Sequence, residues 1–277
     1  MAGLKINKNL IKFMTMIISK LLVQQEKWLK ERIIAGESLD FCPRATVDST
    51  PARWELSSLL ASSSLKWAEV LRDSYAHPMA FPGSISPCAG EMLRSMICNI
   101  APRNILEIGC FVGISTLWLA SGLAELGGDR KIHTIDLFED LPPNEFCPIW
   151  LNNPLAYVQS QLETAGLIQW VELHQGDSKV IGPKIAETLA APIDFLFIDG
   201  DHSVEGCYAD FELMEKYVST GGFILLHDIF PKWCGWEGPA FVVDNYIRHN
   251  DRFEMCQIYI SPLNFGYALI RKVKAQS

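Results

Sequence analysis

Five short apolar runs, each parted from the next by a stretch of helical length and period, constrain this chain more than any other feature. They are "NILEI" (104–108), "KIHTI" (131–135), "WVELH" (170–174), "IDFLFI" (193–198) and "GFILLH" (222–227). A short continuous apolar run reads as a strand buried on both faces, and strands that alternate with helices pair in parallel. The pattern predicts an α/β fold with a doubly wound sheet. Two last runs, "FEMCQIYI" and "GYALIRK", are joined by a short connection containing Pro262 and Gly266. It leaves no room for a crossover helix, so the two read as an antiparallel terminal pair.

Upstream the texture differs. Residues 1–76 hold helix-patterned runs such as "ARWELSSLLASSSLKWAEVLRDSYA" and no strand pattern, and read as an N-terminal helical appendage serving as a lid or for dimerisation; residues 77–277 read as the main domain. "NLIKFMTMIISKLLV" is apolar but is interrupted by Lys12 and Lys20, and no small-residue cleavage site follows it. It reads as a helix packed on the domain or on a partner, with an interfacial membrane anchor as the alternative. The composition, 49% hydrophobic and 20% charged over 277 residues, is that of a globular protein with a sizeable core. A formal charge of -8 without a Lys/Arg cluster argues against a nucleic-acid surface. The eight cysteines, at 42, 88, 98, 110, 147, 207, 234 and 256, form no CxxC pair, and several lie in apolar runs. Neither a zinc site nor a disulfide framework is indicated, and a reducing cytoplasm is the simplest reading.

The chemistry gathers where the strands end. After the first strand comes "ILEIGCFVGIST", in which Gly109 and Gly113 permit a tight turn close to a ligand, while Ser115 and Thr116 open a helix whose N-terminal amides face the crevice. Glu107 there would repel a pyrophosphate and welcome an amino group, and Asp136, after the second strand, stands where an acid takes both hydroxyls of a ribose. One acid for an amine and one for a ribose point to S-adenosylmethionine. The fourth strand breaks off at Asp199, Asp201 and His202, three ionisable groups within four residues, where ligands of open α/β sheets bind.

In order, "LEIGCFVGIS", "HTIDLF", "QGDS", "DFLFIDGDHS" and "GGFILLHD" resemble the class I S-adenosylmethionine-dependent methyltransferases, over roughly Ser84 to Lys272. Phe111 replaces the second glycine of the usual ExGxGxG loop, and with "ISPCAGEML" upstream this is similar to the catechol and caffeoyl-CoA O-methyltransferase branch and its small-molecule tailoring relatives. The resemblance implies a Rossmann-like seven-stranded sheet with a reversed terminal hairpin. It also implies methyl transfer from S-adenosylmethionine to a hydroxyl of a small specialised-metabolite acceptor, as in natural product biosynthesis; a homodimer is the expectation that the helices of residues 1–76 carry. It sets Glu107 near the methionine amino group, Gly109, Gly113 and Ser115 around the methionine moiety, and Asp136 on the ribose. Asp177 and Ser178 match the adenine edge, and Ile85 lends backbone to the cofactor.

The resemblance further implies a divalent cation, Mg or Mn, held by Asp199, His227 and Asp228, with His202 as the base and Asp201 as its rival. Relatives usually carry Asp-Asp or Asp-Asn where this chain has His227-Asp228, and an imidazole favours Mn, Fe or Zn over Mg. Structural roles stand beside these: Asp199 capping the next helix, Asp201 turning the loop, His227 as a core histidine or metal-free base, and Asp177 with Ser178 in an Asx-type turn. The insert "LFEDLPPNEFCPIWLNNP" and the loop "PKWCGWEGP" bring Phe146, Trp150, Trp233 and Trp236 to wall an acceptor pocket or to pack the appendage. Two other classes compete: a nicotinamide-dependent dehydrogenase, disfavoured by Glu107 and Phe111, and a catalytically silent scaffold, disfavoured by the retained Asp199, His202 and Asp228.

Overall fold

The computed structural model describes residues 19–21, 23–25, 27, 53–143, 147, 149–260 and 265–275. All seven apolar runs become strands: β1 (Asn104–Ile108), β2 (Lys131–Asp136), β3 (Val171–Gln175), β4 (Ile193–Ile198), β5 (Val218–His227), β6 (Phe253–Ile258) and β7 (Tyr267–Lys272). They form one sheet in the order β3-β2-β1-β4-β5-β7-β6. β1 to β5 pair in parallel, and β7 pairs antiparallel with both β5 and β6. The doubly wound α/β fold with a reversed terminal pair is therefore the one observed.

Among the described residues from 53 onward, the α-helices are α1 (Ser58–Ser62), α2 (Lys66–Ala76), α3 (Pro87–Ile100), α4 (Ile114–Leu126), α5 (Pro154–Ala165), α6 (Ser178–Thr188), α7 (Val204–Met214), α8 (Pro231–Cys234) and α9 (Gly238–Val242). Because side chains alternate across a strand, the sheet feeds two cores. Ile105, Phe195 and Phe197 pack with Leu71, Leu93, Trp118 and Leu162 on one face, while Leu106, Leu196 and Leu226 pack with Phe211, Met214 and Phe241 on the other. α4 is buried from Ile114 to Leu123, as its apolar circumference requires.

The helices over residues 58–76 share the first core. Ala68 and Leu71 of α2 are fully buried, and the Trp67 ring lies 5.7 Å from that of Trp118. Tyr75 donates its hydroxyl to the Ile85 carbonyl at 3.1 Å and accepts the Trp118 indole N–H at 2.9 Å. Gly90 of α3 makes this possible, because a Cβ there would lie 2.0 Å from the indole nitrogen. Of the apolar stretch near the N-terminus, residues 9–18 and 22 lie outside the described residues. Residues 19–21 and 23–25 are helical, with Leu21 buried in the second core and Gln24 bonded to the Tyr246 hydroxyl. A cavity of about 620 Å³ between this segment and Tyr208, Phe211 and Tyr246 holds none of the candidate site residues. No helix among the described residues is long and apolar enough to cross a membrane. The seven described cysteines are free.

Candidate active site

The turn after β1 is built for close approach. Gly109 has φ +92°, and a Cβ on it would lie 2.2 Å from the Asp199 carbonyl oxygen, so the ends of β1 and β4 meet only because this residue is glycine. Gly113, at φ +83°, opens α4. Phe111 between them also has positive φ, 52°, as do Phe138 at 48° and Asp228 at 57°. Such non-glycine conformations cost about 1–3 kcal/mol each and concentrate at functional sites. Here all three closely follow the ends of β1, β2 and β5, where the candidate residues gather.

Two carboxylates organise this half of the crevice. Glu107 is fully buried; its Oε1 accepts the Ser115 hydroxyl at 2.6 Å, and its Oε2 accepts those of Thr116 at 2.6 Å and Thr134 at 2.7 Å. Burial pushes its carboxyl up to about 7, opposed by the three hydroxyls and reinforced by the charge of Asp199. Asp136 Oδ2 accepts the backbone N–H groups of Cys110 at 2.7 Å and Phe111 at 3.0 Å, and its Oδ1 accepts that of Phe138 at 2.8 Å. Asp136 thus fastens the turn after β1 to the end of β2. Thr134 escaped the sequence reading; its only signal is a polar residue inside the buried run "KIHTI".

The other half is a knot of charges at the ends of β4 and β5. His202 Nε2 lies 3.2 Å from Asp199 Oδ1 and 2.9 Å from Asp228 Oδ2, and His227 Nδ1 lies 3.0 Å from Asp199 Oδ1 and 3.2 Å from Asp228 Oδ1. Burial would lower the pKa of His202, but its bonds to Asp199 and Asp228 push it up to about 10. Burial likewise opposes, and the charges of Asp228 and Asp199 outweigh it, in raising His227. Burial would raise Asp199, yet His227 and His202 hold it far below the usual carboxylate range. His202 in this arrangement is therefore a protonated donor between two acids.

The donor atoms of Asp199, His202 and Asp228 all lie within 4.8 Å of one another. Among the described residues the buried Asp228 Oδ1 accepts no hydrogen bond; His227 Nδ1, 3.2 Å away, lies nearer to Asp199. A mixed oxygen and nitrogen set with an orphaned carboxylate oxygen fits a divalent cation. Convergence of donors favours His202 beside the two acids, with His227 behind Asp199. The Tyr267 hydroxyl is also buried without a partner among the described residues, and its ring lies 5.1 Å from that of His227.

The remaining residues lie at the rim. Asp201 turns toward α6: its Oδ1 accepts the Ser203 N–H at 3.0 Å, and its Oδ2 lies 3.9 Å from Lys179 Nζ. Ser203, rather than Asp199, caps α7. Asp177 caps α6 by accepting the Lys179 N–H at 3.0 Å, and Ser178 donates to Asp210 at 2.5 Å. Burial raises Asp210 to about 6 despite that bond. The loop "PKWCGWEGP" carries α8 and the start of α9. Its Trp236, 53% exposed, sets its ring 5.8 Å from that of His202. Trp150 and Trp233 are exposed, and Phe146 lies outside the described residues.

Residues 106–229 match the family model described as "Methyltransferase domain". A catechol O-methyltransferase of Niastella koreensis is 31% identical over 118 residues, 43% of this chain and 46% of the relative. A caffeoyl-CoA O-methyltransferase of Stellaria longipes is 26% identical over 190 residues, 65% of this chain and 69% of the relative. The first of these matches thus spans less than half of the relative's length. Among solved structures, an O-methyltransferase from Bacillus cereus in complex with SAH superposes with a TM-score of 0.57 at 24% identity, covering 76% of this chain and 91% of that one. An O-methyltransferase of Streptomyces achromogenes involved in tomaymycin synthesis, in complex with SAM, gives 0.56 at 21% identity, covering 80% and 92%. Residues 106–229 are thus similar to the methyltransferase-domain family, and the chain has the fold of these solved O-methyltransferases.

Proposed function

We propose that this protein transfers a methyl group from S-adenosylmethionine to a hydroxyl of a small acceptor of the catechol or caffeoyl kind, a specialised metabolite by class. One observation carries the reading. The glycine turn after β1 and the charged cluster after β4 touch at Gly109 and Asp199, so a donor held by the first meets an acceptor held by the second. Curated relatives named for these reactions support it.

In this reading Asp136 takes the ribose hydroxyls. Its two oxygens accept three N–H bonds, and a carboxylate has about four lone-pair sites, so acceptor capacity is left. Glu107, through Ser115 and Thr116, fixes the first turn of α4 beneath the methionine moiety, with Gly109 and Gly113 giving the backbone room. Asp177 and Ser178 serve mainly through backbone, because their side chains already hold α6 and Asp210, and Ile85, whose carbonyl is held by Tyr75, would serve through its N–H. Residues 53–76 brace this rim through Tyr75, the role we give to the described part of the N-terminal helices.

When bound, S-adenosylmethionine supplies a carbon activated by the sulfonium, and a divalent ion supplies charge that acidifies a hydroxyl and competes with imidazolium for carboxylates. Asp199, Asp228 and an imidazole of His202 or His227 would hold such an ion. With His227 as that imidazole, His202, released from its two acids, would accept the acceptor's proton at Nε2; Asp201, paired toward Lys179, is the less well placed base. The protein's contribution is positioning and deprotonation. Calorimetry with S-adenosylhomocysteine, followed by a methyl-transfer assay on catechol and caffeoyl acceptors with Mg or Mn, tests the reading. Binding with methylated product is expected, and failure of either overturns it.

A further inference from the structure

We propose that His133, Glu172 and His174 form a second metal site, one for a zinc-like transition-metal ion, that clips β3 to β2 at the outer edge of the sheet. The inference goes beyond the proposed methyl transfer and does not depend on it. In the parallel register His133 stands beside Glu172, and Ile135 beside His174. Glu172 and His174, two residues apart, project from one face of β3 toward the His133 side chain of β2. His133 Nδ1 lies 3.2 Å from His174 Nε2 and 3.5 Å from Glu172 Oε2, and the donor atoms of all three lie within 4.8 Å of one another.

Those separations match a metal centre. Bonds of about 2.0–2.1 Å in a tetrahedron set neighbouring donors about 3.3–3.4 Å apart. Two imidazoles and one carboxylate suit Zn, Co, Ni or Cu, whereas Mg prefers an all-oxygen shell. An ion has access, since β3 is an edge strand and the Glu172 side chain is 49% exposed. One cation competes: Lys131 Nζ lies 3.6 Å from Glu172, but on the other oxygen, Oε1, and it also donates to the Gln169 carbonyl at 2.9 Å. Without metal the two rings share one N–H between Nδ1 and Nε2. For coordination that proton leaves to solvent while the same ring takes a proton from solvent at its other nitrogen, so both rings bind as neutral imidazoles with no net proton released, and water completes the shell. Because the ion bridges strands joined only in the folded sheet, it stabilises the edge that carries Gln175 and Asp177.

The test is titration of the full chain with Zn2+ and with Co2+, read by calorimetry, by the visible bands of tetrahedral cobalt and by thermal midpoint. Asp199→Asn weakens the cation cluster at the candidate active site, and the zinc that this variant then loses on further substitution of His174 or Glu172 reports on His133, Glu172 and His174. Zinc is expected to bind the Asp199→Asn protein and raise its thermal midpoint. Adding His174→Ala should weaken that binding at least about tenfold and abolish the cobalt bands. Glu172→Gln, of unchanged shape on a half-exposed side chain, should weaken it as well and guards against misfolding of the alanine variant. Zinc affinity unchanged in both of these variants, or no zinc binding by the Asp199→Asn protein, overturns the proposal.

Discussion

At the end of β1 the buried Glu107 carboxylate accepts three hydroxyl protons, whereas at the ends of β4 and β5 Asp199 and Asp228 face two imidazoles and one Asp228 oxygen accepts no hydrogen bond from the described residues. The first network is satisfied by neutral donors fixed in the fold. Nothing entering from solvent can improve it. The second balances charge against charge, and a cation can take the place of an imidazolium proton there. The contrast separates a scaffold half, which orders the turn and α4, from a chemical half, which holds groups able to exchange partners. Substitutions should divide accordingly, with stability lost in the first half and turnover lost in the second.

Glu107→Ala should break the scaffold half most severely. It leaves three hydroxyls without their acceptor and opens a cavity, a loss of about 3 kcal/mol or more, measurable by urea unfolding. Acidity gives the same network a pH signature. The folded carboxyl, raised from 4.5 to about 7, binds its proton more tightly than the unfolded chain does. Its contribution is fully present below pH 4.5 and is lost as pH rises through about 7. Asp210, raised from 3.8 to about 6, acts in the same direction. Wild-type stability should fall from pH 5 to pH 8, and Glu107→Gln should flatten that fall; an equally steep profile in the variant would assign the slope to other groups.

In the chemical half, Asp199→Asn keeps the bulk and removes the charge. Turnover should drop about 100-fold or more while S-adenosylhomocysteine still binds, and chelation should produce the same pattern. A variant that lost cofactor affinity together with turnover would show the two halves to be one unit.

Asp136→Ala probes the seam between them. Asp136 both fastens the turn to β2 and, in our reading, takes the ribose, so cofactor affinity should weaken by about 1–3 kcal/mol. Measured by calorimetry, unchanged affinity would leave Asp136 with its structural bonds alone.

The strands were legible because each is a buried apolar run, and the acids at their ends because open α/β sheets bind ligands there. The limits of the elements were less so: β5 begins at Val218, before the Gly221–Gly222 pair that interrupts its apolar pattern. The loop after β5 reads as irregular, yet Pro231 and Pro239 stand in the first turns of α8 and α9, where proline is at home. The site's partnerships were hidden for a different reason. Thr134 reaches Glu107 because register sets the two side by side on β2 and β1, and a sequence does not state register. His202 read alone is an imidazole that titrates near neutrality; between Asp199 and Asp228 it is held protonated, an effect of three residues from two strand ends.

The smallest expected effect sharpens the comparison at its outer limit. Trp236 is 53% exposed and its ring lies 5.8 Å from that of His202, so it borders the charged cluster without belonging to the core. Trp236→Ala should therefore change stability by no more than about 0.5 kcal/mol. If the ring forms a wall against which a planar acceptor stacks, its loss should raise the acceptor KM by a factor set by about 0.5–1.5 kcal/mol and leave kcat nearly unchanged. Steady-state kinetics at saturating cofactor decide between two roles. A fall in kcat at constant KM would mean that Trp236 orients the His202 imidazole, which would move it from the rim into the chemical half.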